Sequence, residues 1–140
     1  MKKPIITDNI IEIPSSEDFL PDVDNFIEGK LESYGLNRSD IADIAISVTE
    51  LVTNGIVHAN KLILEKTVKV EISKKNSEIE ITITDQGDGF DPDSIENPIE
   101  NENLLKEVGR GVFIVKSLMD KVVFDSQPGK GTTVTMTKHF

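Results

Sequence analysis

Between Ile41 and Ile83 the apolar residues change period. Ile41, Ile44, Ala45, Val48, Leu51, Val52 and Ile56 recur at helical spacing and make one broad stripe. Val68, Val70 and Ile72 then alternate with polar residues, as do Ile79, Ile81 and Ile83, on either side of an Asn76-Ser77 turn. A helix with one apolar face and strands with one apolar face must cover each other. The chain therefore reads as α+β: a two-layer α/β sandwich with helices on one face of a mixed, mostly antiparallel sheet.

The flanking segments extend this pattern. Ile10 to Ile13 is a β-branched run closed by Pro14, and reads as a strand. Ser15 or Ser16 caps a first helix, with Glu17 and Asp18 in its favourable first turn. Phe19, Leu20, Val23, Phe26, Ile27 and Leu31 carry its apolar face, Pro21 must lie in its first turn, and Gly35 stops it. Asn37 or Ser39 caps the second helix. Lys61 to Leu64 fits neither period. From Asp85 to Val108 periodicity vanishes, and glycine, proline, asparagine and acids dominate. A stretch this long without regular structure inside a compact domain is usually functional or mobile. Val112 to Met119 reads as a third helix opened by glycines. Lys121 to Ser126 and Thr132 to Thr137 read as a hairpin around Pro128-Gly129. The 140 residues show no repeat and no linker, so residues 1–140 are expected to form a single domain.

Charge and composition exclude some functions. The net charge of −10 repels duplex nucleic acid and anionic membranes, and leaves basic or mixed-charge proteins as partners. Cysteine is absent, so there is neither a disulfide framework nor a thiolate metal site. Met1 to Asn9 lacks a signal-peptide apolar core, and no run approaches membrane-spanning length. A soluble cytoplasmic protein is the expectation.

Glu50, Asn54 and His58 recur every fourth residue on the second helix. At 3.6 residues per turn they span about 80° of its surface and line one strip. A solvated polar face is the plain reading. Against it, asparagine is a poor mid-helix residue unless its side chain has other work, and the surrounding residues are mostly apolar. A carboxylate at Glu50 could act as a general base. The amide oxygen of Asn54 could complete a magnesium shell that already holds phosphates and waters. His58 reads as structural, satisfied by a backbone carbonyl.

Three glycine-bearing blocks follow. Asp85-Gln-Gly-Asp-Gly-Phe90 begins with an acid at a strand end, placed to accept a hydrogen bond from an exocyclic amine such as that of adenine. Gly87 and Gly89 permit close backbone approach to a ligand. The spacing is not that of a calcium-binding EF-hand. Gly109-Arg-Gly-Val-Phe113 opens a helix, where free amides and the helix dipole favour phosphate. Arg110 could contact a phosphate or pair with an acid of the preceding loop. This block is not a dinucleotide fingerprint, and Gly129-Lys-Gly-Thr132 is not a P-loop, because no helix has room to follow it. It reads as a turn that brings Thr132 near Asp85. Together the four blocks read as an ATP site with a carboxylate placed to activate a nucleophile.

In this order the blocks resemble the N, G1, G2 and G3 boxes of the Bergerat-fold (GHKL) ATPases, the group of gyrase, Hsp-ninety, histidine kinases and MutL. Ser47-Val-Thr-Glu-Leu-Val-Thr-Asn-Gly-Ile-Val-His-Ala59 and Gly109-Arg-Gly-Val-Phe-Ile-Val-Lys-Ser-Leu-Met-Asp120 look most like the anti-sigma factor serine/threonine kinases of the RsbW/SpoIIAB type. The resemblance covers essentially the whole chain. It implies that Glu50 is the catalytic base for a substrate serine or threonine hydroxyl and that Asn54 ligates Mg²⁺. It implies that Asp85 binds the adenine amine, supported by Thr132 through water, with Gly87 and Gly89 shaping the pocket. Residues 91–108 would be the ATP lid. Gly109, Gly111 and the amides of Val112 and Phe113 would hold phosphates, with Arg110 near the γ-phosphate.

Members of that family bind a sigma factor, phosphorylate a small STAS-domain anti-anti-sigma protein and are commonly homodimers. This chain departs from the pattern after Ala59, where Asn60-Lys-Leu replaces a frequent Tyr or Gly-rich turn, and in its strongly acidic lid. The implied function is an ATP- and Mg²⁺-dependent serine/threonine protein kinase acting as an anti-sigma factor. The alternative is a catalytically inactive ATP-binding module that only sequesters a sigma factor or another regulator. A histidine-kinase catalytic domain is a third reading, set back by the missing phosphoacceptor helix, and a plain ATP hydrolase is the weakest.

Overall fold

A computed structural model describes residues 2–88, 109–126 and 128–140. Gly89 and the whole of the expected lid, 91–108, lie outside the described residues. Six strands form one sheet: β1 (Ile5–Ile6), β2 (Ile10–Pro14), β3 (Thr67–Lys75), β4 (Glu78–Thr84), β5 (Lys121–Ser126) and β6 (Thr132–His139), in the order β1-β2-β3-β4-β6-β5. Every pairing among the described residues is antiparallel, where the sequence suggested some parallel component. The helices are α1 (Leu20–Ser33), α2 (Arg38–Thr53) and α3, described over 109–118.

Register follows from the alternation. Val70 lies opposite Ile83 and Ile72 opposite Ile81, and the same two isoleucines face Val134 and Met136 on β6. These six side chains make rows on one face, and all are buried. The intervening Glu71, Ser73 and Glu80 point to the other face and are exposed. The buried rows pack with Val23, Ile27 and Leu31 of α1, Ile44, Val48, Leu51 and Val52 of α2, and Val115 of α3 in one core. Each such side chain contributes about 1.5–3 kcal/mol through burial. The three helices therefore cover one face of the sheet and leave the other open.

Local chemistry sets the helix ends. Ser16 caps a short 3₁₀ turn (Glu17–Phe19), accepting from the amide of Asp18, and Pro21 sits in the first turn of α1. Ser15 does not cap; it is buried and donates to the carbonyl of Lys66. α1 stops at Gly35, whose φ of +85° suits glycine, with Gly35 N–H bonded to Glu32 O and Leu36 N–H to Leu31 O. Asn37 caps α2 by accepting from the amide of Asp40 at 2.8 Å. β1 was not legible in the sequence. It is two residues long on the sheet edge, and both of its isoleucines are exposed.

Beyond Thr53 the helix widens. Asn54–Ala59 is π-helical, closed by Asn60 N–H to Gly55 O, and is followed by Lys61 and Leu62 at φ of 53° and 60°. Two successive left-handed residues make a turn, which is why Lys61 to Leu64 matched neither period. Arg38–Ala59 is thus one continuous helix of 22 residues, long and apolar enough by composition to cross a membrane. This corrects the expectation that no run approaches that length. Its apolar stripe is part of the domain core, buried against other elements of the protein.

Candidate active site

The helical side of the site is built by α2 and α3. Glu50 and Asn54 lie one turn apart, at the end of α2 and the start of the π turn. Gly111 of α3 packs directly on them. A Cβ added there would lie 3.0 Å from Glu50 Oε2 and 3.5 Å from Asn54 Nδ2. A glycine at this position is what lets the third helix approach the carboxylate and the amide so closely. Lys138 holds the far end of α3, donating to the carbonyl of Leu118 at 2.7 Å while its ammonium lies 3.7 Å from Asp43 Oδ2 on α2. A lysine on a helix's last carbonyls also complements the helix dipole. Gly109 and Arg110 are exposed, Val112 is half-buried, and the ring of Phe113 is 72% exposed.

The sheet side is built around Asp85, which leaves β4 at its end. Its Oδ1 accepts from the amides of Gly87 and Thr132, both at 3.0 Å, and its own amide donates to the carbonyl of Thr132. Burial pushes the Asp85 carboxyl above its ordinary 3.8; the two amides and the charge of Lys66 pull it back only in part. Gly131, at φ +75°, presses on Asp85 from the hairpin turn: a Cβ there would lie 2.5 Å from the Asp85 carbonyl oxygen. Gly87 packs against the end of the π turn, where a Cβ would lie 2.6 Å from the carbonyl oxygen of Ala59. The hydroxyl of Thr132 is hydrogen-bonded to that of Ser126 at 2.8 Å.

Gly55 joins the two sides. It follows Asn54 in the chain, and its Cβ position lies 3.5 Å from the Cβ of Asp85 and 3.2 Å from Val68. The widened turn thus sets the Glu50–Asn54 strip beside the acid at the strand end. π-helical turns often occur at functional sites because they re-aim side chains in this way. The structure brings together Glu50, Asn54 and Gly111, and separately Asp85, Gly87 and Thr132, within one continuous region. His58 is half-buried and partnered. A depression of about 490 Å³ lies elsewhere, on the helix-free face among Glu80, Lys121, Thr135 and Thr137, and contains none of these residues.

Asn60 escaped the sequence reading as a site residue. It is fully buried and joins the π turn to Gln86, the residue after Asp85. Its one mark in the sequence is the departure from the family pattern after Ala59, because its partners are distant in the chain.

Along the chain the site runs from a helical carboxylate and amide to an acid at a strand end, with glycines in close contact at Gly55, Gly87, Gly111 and Gly131. Residues 13–138 match the family model for the histidine kinase-like ATPase domain. The serine-protein kinase RsbW of Staphylococcus aureus is 32% identical over 139 residues, covering 92% of this chain and 84% of that protein. The chain belongs to the histidine kinase-like ATPase family, among the RsbW-type serine-protein kinases. Solved structures agree on the fold. The RsbU and RsbW domains of a Mycobacterium tuberculosis protein superpose with a TM-score of 0.65 at 18% identity, covering 99% of this chain and 32% of that one. The histidine kinase domain of a blue-light activated kinase from Erythrobacter litoralis gives 0.58 at 19% identity, covering 91% of this chain and 61% of that one.

Proposed function

We propose that this protein is an ATP-dependent serine/threonine kinase that acts as an anti-sigma factor, sequestering a sigma factor and phosphorylating a STAS-domain anti-anti-sigma protein. The observation that carries the reading is the convergence of the Glu50 carboxylate, the Asn54 amide and the α3 backbone at Gly111. The relatives named serine-protein kinase support the reaction class.

The residues divide the work by chemistry. Asp85, with Oδ1 already committed to two amides, would offer its second oxygen to the exocyclic amine of adenine. Thr132 keeps that carboxylate in place through its backbone amide, and Gly87 keeps the wall of the pocket thin. Gly109 and Gly111, with the amides of Val112 and Phe113, would face the phosphates, and the exposed Arg110 would reach the γ-phosphate. Gly89 and residues 91–108, the expected lid, lie outside the described residues. Glu50 would accept the proton of the substrate hydroxyl as its oxygen bonds to the γ-phosphorus and the bond from that phosphorus to the bridging oxygen of ADP breaks. Most of the acceleration in such a transfer comes from positioning and charge stabilisation.

Asn54 fits a magnesium ion. Its amide supplies a hard oxygen, and among the described residues no cluster of three or more His, Asp or Glu exists that would hold a metal by itself. That suits an ion that arrives with the nucleotide, where it would neutralise phosphate charge. A cytoplasmic homodimer is the assembly we expect, by family likeness. The test is transfer of label from γ-labelled ATP to a serine or threonine of a STAS-domain partner. Glu50→Ala should abolish labelling and leave ATP binding in place. Labelling by the variant at the wild-type rate would remove Glu50 from its role.

A further inference from the structure

The chain leaves the β3–β4 ladder early. The last pair is Lys69 with Thr84, yet β3 extends two residues further, to Thr67. At Thr67 two side-chain amides take the place of the missing strand. Gln86 Oε1 accepts from the Thr67 amide at 2.6 Å, and Asn60 Nδ2 donates to the Thr67 carbonyl at 3.0 Å. Asn60 uses its remaining capacity on Ser15 Oγ at 2.9 Å and on the Gln86 amide, which donates to its Oδ1 at 2.9 Å. The network continues from Thr67 Oγ1 to Glu12 Oε2 at 2.7 Å. Asn60 has 0% relative exposure, and all three of its hydrogen-bonding functions are engaged. A buried, fully satisfied amide network is rigid, and removing one member leaves the others unpaired in a low dielectric.

This network ends one residue from Asp85. Asp85 is held from the hairpin side by Thr132 and Gly131, while Gln86 is held from the helix side by Asn60. We propose that Asn60 is a positioning residue for nucleobase selection: with Gln86 it holds β4 open at its end and fixes the Asp85 carboxylate where it discriminates adenine from guanine. The proposal rests on Asp85 being the base-reading acid. Adenine offers an amine where guanine offers a carbonyl, so a carboxylate locked in place rejects guanine and one free to swing does not. Sites built to satisfy a particular hydrogen bond gain most of their selectivity from that lock. Asn60 touches no reacting atom, and phosphoryl transfer itself should be insensitive to it.

The test compares fluorescent ATP and GTP analogues binding to the full chain, with kinase rates in parallel, well below each variant's melting temperature. Asn60→Leu should lower the ATP-over-GTP preference about tenfold, raise the KM for ATP and leave kcat within about threefold. Asn60→Asp keeps an acceptor for the Gln86 amide and should retain most of the preference, even though it loses both donated bonds, to Ser15 and to Thr67. A preference in Asn60→Leu equal to wild type would overturn the proposal, as would loss of preference in Asn60→Asp as large as in Asn60→Leu. Should Asn60→Leu fail to fold, Asn60→Ala serves, since it also removes the acceptor for the Gln86 backbone amide; unchanged selectivity there has the same overturning force, whereas Gln86→Ala, which keeps that bond and loses only those to Thr67, should lower the preference less. Asp85→Asn separates the two layers. If it keeps the preference, the reading of Asp85 fails; if it loses the preference while the Asn60 and Gln86 variants keep it, only the role of Asn60 fails.

Discussion

Replacing Gly111 by alanine should move stability and activity in opposite directions. In the first turn of a helix, where Gly111 sits, alanine is favoured over glycine by up to about 1 kcal/mol. The new methyl would meet Glu50 Oε2 at 3.0 Å and Asn54 Nδ2 at 3.5 Å. The first contact is a few tenths of an ångström too close, but its partner is the end of a flexible side chain. Glu50 can relieve it by an off-rotamer adjustment costing about 0.5–1.5 kcal/mol. The two effects nearly cancel, so the melting temperature should stay within about 4 °C of wild type. Activity has no such compensation. The carboxylate proposed to meet the substrate hydroxyl is the group that is pushed, and misplacement on the order of 1 Å can cost about 100-fold in rate. We expect kcat to fall about 10- to 100-fold, with a smaller change in ATP affinity. Initial rates of label transfer at saturating ATP, with a thermal melt of the same sample, check both halves. A kcat within threefold of wild type would refute the reasoning. So would a collapse of the melting temperature, which would mean that the neighbour at Gly111 cannot give way.

Asp85 gives a pH signature with two opposed signs. Its folded pKa is raised above 3.8 by burial, so the folded chain holds this proton more tightly than the unfolded chain. The stabilisation is fully present below 3.8 and is lost as pH rises through the raised value. Adenine binding as proposed runs the other way, because only the carboxylate would accept the amine. Lowering the pH from roughly 7 to 4 should therefore weaken ATP binding while this group adds stability; in Asp85→Asn calorimetry should find the pH-dependent step in affinity gone. Gly87→Ala should be costly for a different reason. Its Cβ would lie 2.6 Å from the Ala59 carbonyl oxygen, and backbone cannot swing aside. A loss of about 1–3 kcal/mol is expected, visible as a melting temperature several degrees lower; an unchanged melt would show that Gly87 and Ala59 are not so apposed.

Much of this architecture is carried by local pattern. The alternation in Val68–Ile72 and Ile79–Ile83 sets both the strands and their buried face, because a strand's side chains can point only two ways. The helical stripe from Ile41 to Ile56, the cap at Asn37 and the stop at Gly35 are likewise local facts, decided within a turn or two of chain. The sequence assigns Gly87 and Gly89 to close approach of a ligand; what the structure adds is that Gly87, Gly111 and Gly131 each approach another segment of the protein closely. β1 was missed because two residues carry no period. The π turn at Asn54–Ala59 was missed because it differs from an α-helix by one hydrogen-bond step and leaves no mark on the apolar pattern.

What tertiary structure alone decided is which of these pieces meet. Glu50 and Gly111 are 61 positions apart in the sequence numbering, so no local pattern could place them in contact; Asp85 and Thr132, 47 apart, were expected near each other, and the fold supplies the hydrogen bond that joins them. Asn60 shows the same division most plainly. By itself it is an unremarkable polar residue after a helix, whereas in the fold it closes a network through Ser15, Thr67 and Gln86. Period and capping act over one or two turns of chain and are written in neighbouring residues. A buried hydrogen bond depends on where three or four remote segments stop, and only the packed molecule determines that.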